Sequence, residues 1–240
     1  MSNEITRQDP AYGRLLAANR SQTTELVRFP MKLARGTGLA PTYIIAKYDG
    51  GVGSSTLAAI LGMFMNIPLF IEIGGNRSRA FKAINEADIV RYPSSDPDRF
   101  QRGFDARLQQ ASRPAIIELE QSLYRDAIQA TVTLRSEPFC SSAILIFVAS
   151  KNDEKLAFQK LSDDCGVHDL IIFGEHEIRS EKRADVIRIP TLPKEIQDAF
   201  YVEGLSFMEA VQSCPALFTR KIFIGRLQQF HQQVIERLEE

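Results

Sequence analysis

The chain has 240 residues, 44% hydrophobic and 25% charged, which excludes a disordered or coiled-coil protein and suits one large domain better than two ordinary ones. With 29 Lys and Arg against 30 Asp and Glu, the net charge is −1. Any contact with nucleic acid or anionic lipid must therefore come from a local patch.

Residues 1–41 are polar, broken by Pro10, Pro30 and Pro41, and end near the glycine-rich Ala34-Arg-Gly-Thr-Gly38. They are expected to form an extension ahead of a single domain over 42–240, with one short helix around Tyr12 to Ala18. The stretch up to Lys47 carries seven basic and three acidic residues, a net +4. Such an arm is either a solvated tail or a contact for DNA or an acidic partner.

From Thr42 onward, short apolar runs rich in β-branched residues alternate with stretches of helical period, the pattern of strands buried on both faces of a parallel sheet. The runs are Tyr43–Ala46, Pro68–Ile73, a weaker Asp88–Arg91, Ala115–Leu119, Ala143–Val148, Leu170–Phe173 and Val186–Ile189. Helices are predicted over Ser55–Met65, Arg77–Glu86, Pro97–Ser112, Leu123–Arg135, Glu154–Cys165, Lys194–Tyr201 and Ser206–Gln212. A last helix, Leu217–Glu240, carries an apolar stripe from Leu217 and Phe218 through Ile222, Phe223, Leu227, Phe230 and Val234 to Leu238. It is expected to pack on the sheet, with a partner-binding helix as the alternative. The whole reads as an α/β, doubly wound, mostly parallel sheet flanked by helices.

Cys140, Cys165 and Cys214 stand far apart without a CxxC pair, which argues against a disulfide framework or structural zinc and leaves small buried side chains. No apolar run reaches the ~18 residues that would span a bilayer, and the polar start has no signal-peptide order. A cytoplasmic protein is expected. His168, His176 and His231 are too scattered for a metal site and are expected on the surface or in loops. Glu175-His176-Glu177 is no stronger a signal, and no nucleophile elbow is present.

The most informative stretch is Lys47-Tyr48-Asp49-Gly50-Gly51-Val52-Gly53-Ser54-Ser55-Thr56, where a strand runs through three glycines into a helix opened by hydroxyl residues. Glycines allow a tight turn that presents consecutive N–H groups, and the helix start adds partial positive charge, together an anion nest. The plainer reading is a tight turn with Ser54 or Ser55 capping the helix.

Gly50 to Thr56 resembles the deviant Walker A loop, G-K-G-G-x-G-K-[ST]-[ST], of the ParA/MinD-like P-loop ATPases, and weaker likeness extends over roughly 42–212. The resemblance implies a P-loop NTPase-like fold, ATP or ADP with Mg as candidate cofactors, Ser55 as the Mg ligand, Thr56 at the α-phosphate and Glu118 holding a metal-bound water. It also implies a protein partner, a homodimer, and a setting in plasmid maintenance or conjugal DNA transfer. Four departures cut against hydrolysis. The loop lysine is replaced by Ser54, the lysine that would reach across a dimer by Asp49, a glycine by Tyr48, and the water-positioning acid by Gly74. Glu72 stands for the usual Asp of the second strand. Losing one such preorganised charge costs ~10²–10³ in rate, so efficient ATPase activity is not expected. Lys47 and Arg77 are the candidate substitute cations, and through them an active partition ATPase is the alternative reading. The Gly74-Gly75-Asn76 run with Arg77 is either a phosphate or partner contact or an ordinary turn.

Overall fold

The computed structural model describes residues 40–51, 53–65, 67–74, 88–136, 143–174 and 186–239. Within them, seven strands form one sheet: β1 (Thr42–Lys47), β2 (Leu69–Gly74), β3 (Asp88–Pro93), β4 (Ala115–Leu119), β5 (Ala143–Ala149), β6 (Ile171–Gly174) and β7 (Ile187–Arg188). Their spatial order is β3-β2-β4-β1-β5-β6-β7, and every pairing is parallel. The apolar run Thr42-Tyr-Ile-Ile-Ala-Lys47 forms the central β1 because β4 and β5 cover both its edges and helices cover both its faces, leaving its first five residues buried. That is the environment in which an unbroken β-branched run is stable.

The helices are α1 (Ser54–Phe64), α2 (Arg99–Gln109), α3 (Tyr124–Ser136), α4 (Asn152–Asp164), α5 (Lys194–Tyr201), α6 (Phe207–Ser213) and α7 (Leu217–Glu239), with a 3₁₀ turn at Gln121–Leu123. One core joins Tyr43, Ile45, Phe70, Ile116 and Ile146 to α1, α5, α6 and α7. The other joins Ile44, Ala46, Ile71, Ile117 and Phe147 to α2, α3 and α4. Alternate residues of the same strands thus feed opposite layers, which makes the domain doubly wound as expected.

Arg107 of α2 is fully buried and ties the entry of β1 down. Its Nε donates to Thr42 Oγ1 at 2.7 Å, and its Nη atoms donate to the carbonyls of Ala40 at 3.0 Å and Gln110 at 2.7 Å.

Three expectations change. The stripe of α7 buries Phe223, Leu227, Phe230 and Val234, but Leu217, Phe218 and Ile222 in its first two turns stay exposed, Phe218 at 77%. The helix starts beyond the edge of the core it later joins. Cys214 is buried as expected, whereas Cys165 is exposed; it follows the end of α4 and faces no layer. His231, expected at the surface, is buried against the Phe64 ring at 4.6 Å. The predicted helices at 12–18 and 77–86, Cys140 and His176 lie outside the described residues.

Candidate functional site

The crossover from β1 through α1 leads to β2 on one side of the sheet, while that from β4 through α3 leads to β5 on the other. Since α1 lies on one face of the sheet and α3 on the other, the connections leave the carboxyl ends of the neighbouring β1 and β4 for opposite faces, and such a switch point opens a crevice where ligands of doubly wound sheets bind. The glycine loop leaves β1 at this place.

The loop turns through left-handed backbone, with φ of +81° at both Gly51 and Gly53. A side chain is disfavoured in that region. Gly53 is the N-cap of α1 and makes no side-chain cap bond, and its carbonyl accepts from Leu57 N–H at 2.8 Å. Neither Ser54 nor Ser55 caps the helix, so the capping reading does not hold. Both hydroxyls turn instead toward Glu118.

Lys47, Ser54, Ser55 and Glu118 form one connected cluster. Lys47 lies two residues past Ile45, whose register partner in β4 is Glu118, so both side chains project on the α1 side of the sheet. Lys47 Nζ donates to Ser54 Oγ and to Glu118 Oε1, each at 2.9 Å. Ser54 Oγ donates to Glu118 Oε1 at 2.7 Å and Ser55 Oγ to the same oxygen at 2.9 Å. Glu118 is 2% exposed. A buried carboxylate is tolerated only when paired and hydrogen-bonded, and here one ammonium and two hydroxyls meet that need.

The next hydroxyl, Thr56, bonds the phenol of Tyr201 at the end of α5. Burial pushes the Tyr201 phenol above its ordinary pKa; the Thr56 bond opposes this and the Glu118 charge adds to it. Along the strand row, Glu72 is the register partner of both Glu118 and Arg91, and its Oε2 accepts from Arg91 Nε at 2.9 Å. Each of the two neighbouring carboxylates thus has its own cation on its outer side.

Asp49, which stands where the resemblance puts the lysine that reaches across a dimer, points to α4, with Oδ2 3.7 Å from Lys151 Nζ. Tyr48 is 45% exposed, its ring 4.9 Å from that of Tyr124. Gly50 lies under the 3₁₀ turn, where an added Cβ would come within 3.3 Å of Gln121 Oε1. Val52 and Arg77 fall outside the described residues, so only Lys47 of the two candidate substitute cations is placed at the loop.

At Gly74 the structure adds a residue that the sequence reading passed over. A Cβ there would lie 2.2 Å from Glu120 Cδ, so the Glu120 carboxylate fills the space beside this backbone. Glu120 accepts from Ser94 at 2.8 Å, Ser122 at 2.7 Å and Arg99 Nε at 2.9 Å. Burial pushes its pKa up, but the three hydrogen bonds and the Arg99 charge outweigh that and hold it below the usual carboxylate value. The alternation Glu118-Leu119-Glu120 at the carboxyl end of β4 is the signal that could have found it.

Oxygen donors such as Ser55 and Glu118 suit a hard cation like Mg²⁺. In this arrangement the candidate phosphate and Mg²⁺ donors are engaged within the protein. Ser54 and Ser55 are bonded to Glu118, Thr56 to Tyr201, and Lys47 is held in an ion pair with the same carboxylate. Among the described residues, no group of three or more metal-capable side chains is assembled.

No family model and no curated protein matches the chain. Solved structures similar to it include FlhF complexed with GMPPNP and Mg²⁺, at 15% identity and a TM-score of 0.35 over 71% of this chain and 69% of that one. Another is the chimerical protein CapA2B2, at 14% identity and a TM-score of 0.36 over 74% and 88%. No helix among the described residues is long and apolar enough to cross a membrane.

Proposed function

We propose that this chain is a degenerate phosphate-loop protein, similar to the ParA/MinD-like ATPases, that lacks efficient ATP hydrolysis and acts as a binding or regulatory protein. The observation that carries this reading is position 54. A phosphate loop needs a lysine there to neutralise charge on the β- and γ-phosphates, and the residue is a serine, 4% exposed, whose hydroxyl is spent on Glu118. A setting in plasmid maintenance or conjugal DNA transfer follows from the sequence resemblance alone. So do a protein partner, self-association, and DNA contact through the basic arm of residues 1–41.

The test is calorimetric titration of Mg-ATP and Mg-ADP, followed by steady-state turnover, with Gly53→Asp as the loop control. Weak or absent binding without turnover is the expected result. Turnover at the rate of an ordinary member of that family sinks the reading.

One observation favours the active alternative. Lys47 Nζ reaches Ser54 Oγ at 2.9 Å, so an ammonium does stand beside the position where the loop lysine is missing. If Lys47 serves as the substitute cation, Lys47→Ala abolishes Mg-ATP binding that the wild type shows.

A further inference from the structure

We propose that the Lys47–Glu118 ion pair is an autoinhibitory latch: Glu118 acts as an internal anion that occupies the side-chain donors flanking the glycine loop and excludes phosphate until the pair is opened. The inference rests on the phosphate-loop reading above and adds the reason that such a loop would stand closed.

Lys47, Ser54 and Ser55 all donate to a single oxygen, Glu118 Oε1, at 2.9, 2.7 and 2.9 Å. These are the ammonium and the two hydroxyls that flank the start of α1, where an incoming oxyanion would seek donors. With the pair formed, Lys47 and Glu118 cancel and the site offers no net positive charge. Lys151, the cation on the far side of the loop, is within 3.7 Å of both Asp49 and Glu154. An oxyanion entering the closed loop would meet a buried carboxylate head-on, and at a few Å in a partly desolvated site that repulsion is worth several kT. Lys47 keeps 18% of its side chain exposed while Glu118 keeps 3%. The lysine is therefore the member able to swing out, and Glu118 is the fixed one.

The latch is released by removing the charge of Glu118 while keeping its shape. Glu118→Gln is expected to bind pyrophosphate, without metal, about tenfold or more tighter than the wild type. Acylation of Lys47 by an amine-reactive ester, read by peptide mass spectrometry, rises several-fold alongside it. In the double variant Lys47→Gln/Glu118→Gln the gain in pyrophosphate affinity disappears, because the freed ammonium is gone. If circular dichroism shows Glu118→Gln unfolded, Glu118→Asp replaces it. That variant keeps the charge, draws it back by one methylene, and is expected to raise Lys47 acylation and pyrophosphate affinity by a smaller factor.

Unchanged Lys47 acylation overturns the proposal by showing that Glu118 does not hold the lysine. Raised acylation with pyrophosphate affinity no better than wild type overturns it too, and in that case the phosphate-loop reading itself fails. Neither readout uses a nucleotide or a metal, so a failure of the latch is separable from the turnover assay that tests the degenerate-ATPase reading.

Discussion

Lys47 shows how far a residue's role depends on neighbours that sequence order does not supply. As a basic residue at the end of a strand it is unremarkable, and only the register of β1 against β4 brings its ammonium to Glu118, 71 positions later. The reverse holds for Gly53, whose need is local and was legible from the loop alone. With φ at +81°, Gly53→Ala is expected to cost about 1 kcal/mol, since a Cβ is penalised in left-handed backbone even though only Ile189 Cδ1, at 3.7 Å, lies near. A urea midpoint lowered with an unchanged slope checks it. His231 supplies a pH signature. Burial holds its pKa below the ordinary imidazole value, so between the folded and unfolded pKa values the unfolded chain binds more protons. Stability is then whole above the unfolded value of about 6.5 and falls as pH drops below it. Urea midpoints at pH 7.5 and 5.5 should differ more in the wild type than in His231→Gln, and equal differences would contradict this.

At the scale of elements, the apolar runs located the seven described strands and the helical stripes the seven described helices to within a few residues; in β1, β2 and β4 burial on both faces removes the alternation that would blur them, whereas β3, with no buried residue, gave the weaker run. β7 is the two residues Ile187–Arg188, paired with β6 at the edge of the sheet, shorter than the run Val186–Ile189 that pointed to it. The position of Glu118 was legible from its strand; its partners were not, because they depend on where three separate elements meet. Packing of α1 on β2 gives a sharp test. A Cβ on Gly62 would stand 2.2 Å from Phe70 Cζ, and that ring is fully buried. Gly62→Ala would gain up to about 1 kcal/mol of helix propensity, but overpacking of this severity costs about 1–3 kcal/mol. Net destabilisation in thermal or urea unfolding is expected, and Phe70→Leu in the same chain should recover part of it. A Gly62→Ala protein as stable as the wild type would contradict that packing.

For the whole molecule, the parallel sheet places the loop at its topological switch point, where ligands of doubly wound sheets bind, yet the polar groups there pair with one another. Glu118 answers Lys47, Tyr201 answers Thr56, and Arg99 answers Glu120 beside the bare backbone of Gly74. The chain thus combines a doubly wound parallel sheet with a glycine loop whose neighbouring side chains are paired with one another, which is the arrangement on which the proposed binding or regulatory role rests. The measurement that bears most directly on this is steady-state ATP turnover of the wild-type protein with Mg²⁺, run in parallel with Lys47→Ala. The expected result is no turnover above the background that Lys47→Ala shows; turnover that is clearly present in the wild type and lost in Lys47→Ala would contradict the account and make Lys47 the working cation of an active ATPase.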